Sequence, residues 1–132
     1  MKPLEWIASS RKDLQAMPDE VQDKVGYALF QAQLGEKHDD VKPLKGFRGA
    51  GVLEVVDDFD GDTYRAIYTV RFESAVYVLH VFQKKSKSGI ATPKQDIELV
   101  EKRLKVAQEH HQTTYGSQSR SEWRFRKYCN SW

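Results

Sequence analysis

At 132 residues, with 39% hydrophobic and 30% charged residues, the chain has room for one domain with a modest core. The net charge of +2 is too mild to mark a nucleic-acid partner, so any such argument rests on where the charges sit. The single cysteine, Cys129, excludes an internal disulfide framework and fits a reducing compartment.

The N-terminal stretch MKPLEWIASSRKDL has no apolar run resembling a signal peptide, and no segment is long enough to span a bilayer. A cytoplasmic protein with no membrane partner is the expectation. There is no internal repeat. LEWIAS is short and mixed, in the manner of an edge strand, and SRKDLQAM suits a brief helix that ends before Pro18. Val21, Val25, Ala28, Leu29 and Ala32 then fall at helical spacing, with Asp19 and Glu20 in the first turn, where carboxylates complement the helix dipole. Gly35 is placed to stop that helix. The stretch EKHDDVKPLKGFRGAG reads as a polar link carrying Lys37, Lys42, Lys45 and Arg48.

Three strands follow. VLEVV (52–56) leads into the turn DDFDGD, and TYRAIYTVRF (63–72) alternates, with Tyr64, Ala66, Tyr68, Val70 and Phe72 on one side. VYVLHVF (76–82) is apolar on both faces, which suggests a central strand. Short connections between consecutive strands favour an antiparallel meander. Thr92 is predicted to cap a last helix, with Pro93 at its first position and Gln95 completing a capping box. Ile97, Val100, Leu104 and Ala107 form that helix's apolar stripe. The predicted fold is therefore α+β: N-terminal helices, a small antiparallel meander and a covering C-terminal helix. One domain is expected over residues 1–115. The basic, aromatic tail over 116–132 loses periodicity and is open to RNA stacking, to packing, to partner contact or to disorder.

Most candidate chemistry dissolves on inspection. The acidic turn lacks the downstream bidentate glutamate of a calcium loop, and Asp-Gly is a hairpin signal. His110 and His111 would point about 100° apart on a helix, and His80, inside an apolar strand, reads as a satisfied core histidine. No metal and no cofactor are expected. One cluster remains. Arg65 begins one strand, and Lys84 and Lys85 end the next, so antiparallel pairing brings all three to one rim of the sheet. Arg71 lies near the opposite end. Such a rim is either a solvated strand end or a site for a phosphodiester, whose negative charge grows in the transition state.

The segments YALFQAQLGEKH, KPLKGFRGAGVLEVVDDFDGDTYRAIYTVRF and VYVLHVFQKKSKSGIATPKQDIELVEKRL resemble, in order and spacing, a toxin of the RelE/ParE superfamily, in its phage-derived HigB-like subgroup. The resemblance covers residues 5 to 111. It implies a small α+β endoribonuclease of a type II toxin-antitoxin system that cleaves mRNA on the ribosome. Its partner would be a HigA-like, helix-turn-helix antitoxin. The implied mechanism needs no metal: the ribose 2′-hydroxyl attacks the adjacent phosphate, helped by basic side chains. The family's functional arginine and strand-end cation match Arg65 and Lys85, with Lys84 beside the latter. Lys45, Arg48 and Lys87 are the candidate RNA contacts. Two features depart from the pattern. Glu54 and Val56 stand where RelE-type enzymes carry strand lysines, and SKSGIATPKQD holds no tyrosine. Lys45 or Arg48 could replace the missing cations, and Glu54 is a candidate base. The alternatives are a non-enzymatic, ParE-like gyrase-binding toxin and an inactive antitoxin-binding relic.

Overall fold

The computed structural model describes residues 1–47, 51–84 and 92–116. Its elements run β1 (Leu4–Trp6), α1 (Ser10–Gln15), α2 (Asp19–Gln33), β2 (Val41–Pro43), β3 (Val52–Phe59), β4 (Asp62–Thr69), β5 (Val76–Lys84) and α3 (Lys94–His111). A π-helical turn over Gln112–Gly116 continues α3. The fold is α+β. The tail from residue 117 onward lies outside the described residues.

Helix α2 follows its pattern closely. Val21, Val25, Ala28, Leu29 and Ala32 are all buried. Gly35 ends it in a left-handed conformation, φ 82°, that a residue with a Cβ adopts only at a cost. The turn closes with Gly35 N–H donating to Ala32 O (3.0 Å) and Glu36 N–H donating to Gln31 O (2.8 Å), which satisfies two end carbonyls of the helix.

The five strands form one sheet in the order β1-β5-β4-β3-β2. Strands β2 to β5 are antiparallel, as the meander requires, but β1 lies parallel to β5 and makes the sheet mixed. Its edge position agrees with its mixed composition. Strand β2 was hidden inside the polar link. It is only three residues long, and Val41 alone of the three is buried, which is too short a run to show alternation. Phe59 and Asp62 pair across Asp60 and Gly61, both with positive φ (52° and 82°), so the acidic turn is a two-residue hairpin.

Helices cover both faces. Leu14 of α1 and Val21, Val25 and Leu29 of α2 pack on Val55, Ala66, Tyr68 and Val78. On the opposite face, Val100 and Ala107 of α3 pack on Ile67, Tyr77 and Leu79, with Ile97 and Leu104 of the predicted stripe half-buried at the margin. Being covered on both sides, β5 is apolar on both sides.

The regular strand pattern breaks in two places. The alternation in β4 stops at Val70, and Phe72 packs on the α3 side because the strand itself ends at Thr69. In β5 a bulge intervenes: Tyr68 pairs with Val78 but Ile67 pairs with His80, so Leu79 is the extra residue. That insertion turns both Leu79 and His80 toward α3.

Candidate functional site

Thr63 pairs with Lys84 and Arg65 with Phe82, so Arg65 and Lys84 are diagonal neighbours on the α3 face at one rim of the sheet. Arg71 is exposed beyond the other end of β4, its guanidinium 5.9 Å from the centre of the Phe72 ring. Lys85, Lys87 and Arg48 lie outside the described residues.

The rim is not an open display of cations. Arg65 and Lys84 are 4% and 9% exposed. Arg65 Nη1 donates to Glu54 Oε2 (3.1 Å) on the adjacent β3 and to Thr92 Oγ1 (2.9 Å). Thr92 Oγ1 donates in turn to Glu54 Oε2 (2.8 Å). Glu54 is itself 4% exposed, so carboxylate and guanidinium form a buried ion pair with a hydroxyl bridging them. Thr92 is consequently not the helix cap. Pro93 holds the N-cap position with no side-chain cap bond, and α3 begins at Lys94. A threonine hydroxyl beside a buried charge pair gains more there than at a solvated helix end.

Glu54 and Thr92 also line a pocket of about 200 Å³, together with Lys42, Pro43, Leu44, Lys45 and Ile97. Both lysines are exposed. The pocket thus joins two solvated cations to the buried Arg65–Glu54–Thr92 triad. Lys42 is a participant that sequence reasoning missed. Its strand was not visible, and only the register Lys42–Glu54 places it beside the carboxylate.

The family model described as phage derived protein Gp49-like (DUF891) matches residues 12–105, from α1 through most of α3. The chain belongs to that family. Glu54, Arg65, Lys84 and Thr92 all fall inside the matched stretch, and the Gp49-like family is a toxin-like one, RelE-like in kind. No curated protein matches the chain. Among the described residues, no helix of this Gp49-like protein is long and apolar enough to cross a membrane.

A second polar cluster sits on the same face of the Gp49-like sheet. His80 Nε2 meets Asp96 Oδ1 at 2.8 Å, and Arg103 Nη1 lies 3.4 Å from His80 Nδ1 while donating to Leu79 O at 3.0 Å. Arginine can only donate, so the facing Nδ1 is an acceptor and the imidazole is the neutral Nε2–H tautomer, donating to Asp96. Burial holds the His80 pKa below its ordinary 6.5, and Arg103 of α3 pushes the same way; Asp96 of α3 and Asp13 of α1 oppose them. His80 is the satisfied core histidine that its apolar strand implied.

The sign of the linkage follows. Below pH 6.5 the unfolded chain takes up a proton that the folded imidazole refuses, so this contribution to stability is complete above pH 6.5 and falls as the pH drops toward the lowered value. His111 shifts in the same direction, by burial and then by His110, and adds to the wild-type slope. The difference in unfolding free energy between wild type and His80→Gln isolates the first. It should be constant above pH 6.5 and change below it. A difference flat from pH 5 to 8 would show that His80 does not stay neutral in the fold.

Proposed function

We propose that this Gp49-like protein is a HigB-like toxin of the RelE/ParE superfamily, a metal-independent endoribonuclease that cleaves mRNA on the ribosome. A HigA-like, helix-turn-helix antitoxin neutralises it. The observation that carries the reading is the convergence at one rim: Arg65 and Lys84 are diagonal neighbours on one face, and Arg65 is bonded to Glu54, which lines a pocket with Lys42 and Lys45.

In this reading the scissile phosphate sits against the lysines and the adjacent ribose enters the pocket. Glu54 takes the proton of the 2′-hydroxyl as its oxygen attacks phosphorus, and the bond to the 5′-oxygen breaks. Lys85, the next residue in the sequence after Lys84, protonates the departing 5′-oxygen, leaving a 2′,3′-cyclic phosphate and a 5′-hydroxyl. Arg65 orients Glu54 and adds positive charge behind the phosphate. Lys84 neutralises the charge that grows on phosphorus oxygens, while Lys45, Arg48 and Lys87 contact flanking phosphates.

One observation favours a different reading, the inactive antitoxin-binding relic. Arg65 is buried and bonded within the protein, as a structural arginine would be. Expression from a tightly regulated promoter, with mRNA ends mapped and gyrase supercoiling assayed in parallel, separates the possibilities. The expected result is growth arrest, new 5′-hydroxyl mRNA ends and unchanged supercoiling. Blocked supercoiling with intact mRNA would mean a gyrase poison, and normal growth with abundant folded protein would mean a relic.

A further inference from the structure

The His80–Asp96 bond has no part in the chemistry above, yet it sits where it can govern it. Asp96 is in the first turn of α3, and Thr92 lies just before the start of that helix. The N-terminal end of α3 therefore sets where the Thr92 hydroxyl lies between Arg65 and Glu54. On the sheet side, the β5 bulge aims His80 at α3, and the His80 ring stacks on Phe82 with centroids 4.5 Å apart and planes 15° apart. Phe82 is the direct cross-strand partner of Arg65. Arg103 fastens the next turns of the helix by its bond to Leu79 O, at the bulge itself.

The bulge costs a ladder position in the middle of a buried strand, and a neutral imidazole in that place must find two polar partners. Both come from α3. We propose that the bulge, His80, Asp96 and Arg103 form a positioning device that fixes the start of α3 and thereby holds Thr92 in register with Glu54 and Arg65. This rests on the endoribonuclease reading for its effect on rate, but not for its effect on Thr92.

The test uses the full chain and two readouts. The first is the methyl resonance of Thr92 in threonine-labelled protein, identified by its loss in Thr92→Val. Asp96→Ala should move that resonance, and Asp96→Asn, which keeps an oxygen acceptor for His80 but not the charge, should return it close to the wild-type position. The second is RNA cleavage per folded molecule. Asp96→Ala should lower kcat about 10-fold with KM within about 2-fold, since misplacing a group at the reacting centre acts on the transition state. Asp96→Asn should recover most of that loss. On a Thr92→Val background, Asp96→Ala should add no further loss, because both changes act on one contact.

An unmoved Thr92 resonance, additive losses, or an Asp96→Asn variant as poor as Asp96→Ala would each overturn the device. The last would reduce Asp96 to a first-turn carboxylate complementing the helix dipole. Wild-type protein that cleaves no RNA would overturn the endoribonuclease reading alone, and the Thr92 resonance would still decide the positioning.

Discussion

Glu54→Ala should destabilise the protein by about 3–5 kcal/mol, measured from urea unfolding at neutral pH, because it leaves the Arg65 guanidinium buried without its carboxylate. Both side chains are almost fully enclosed, at 4% and 6% exposure, so solvent screening does little to soften the loss. Arg65→Ala should cost a similar amount by stranding Glu54. Replacing both with apolar residues of similar volume, as in Glu54→Leu with Arg65→Met, should return stability to near the wild-type value or above it. That contrast is the signature of a buried pair: removing one partner is costly, and removing both is not. A Glu54→Ala loss below about 1 kcal/mol would mean that water reaches the pair and that the rim is more open than described.

The paired substitution also makes the catalytic question answerable. A single Arg65→Ala variant that loses toxicity proves little, since unfolding alone would account for it. The folded double variant lacks both the candidate base and the charge behind the phosphate, and its RNA cleavage should fall by at least about 10²–10³, the usual effect of removing one group that acts in the transition state. Lys85→Ala should lose a comparable factor in RNA cleavage. Lys87→Ala should chiefly weaken RNA binding and flatten its salt dependence. If the stable double variant cleaves RNA like wild type, Arg65 and Glu54 are a structural pair and the site is elsewhere.

Much of the architecture was readable along the chain because it is written in short-range periods. The 3.6-residue spacing of Val21, Val25 and Leu29, the positive-φ glycine at position 35 and the Asp60–Gly61 turn each specify their structure within a few residues. The placement of Arg65 and Lys84 at one rim was also legible. It needs only antiparallel pairing of neighbouring strands, which a short connection dictates.

What the tertiary structure alone decided involves partners far apart in sequence. Nothing local marks Glu54 as the partner of Arg65, since that bond depends on the register between β3 and β4. Nothing near Thr92 shows that its hydroxyl would leave the helix end for that pair, because cap and ion pair compete for one oxygen and only burial makes the second win. Strand β1 pairs in parallel with β5, the last strand of the meander, after two helices and three strands have intervened, a pairing with no signature in three residues. The β5 bulge is the clearest case. VYVLHVF is apolar on both faces apart from His80, so neither face could be told from the other, and a one-residue insertion that decides where His80 points leaves no trace in such a run. Alternation and helical spacing report which side of an element is apolar. Which polar groups meet across the sheet is set by register and burial, and those belong to the fold as a whole.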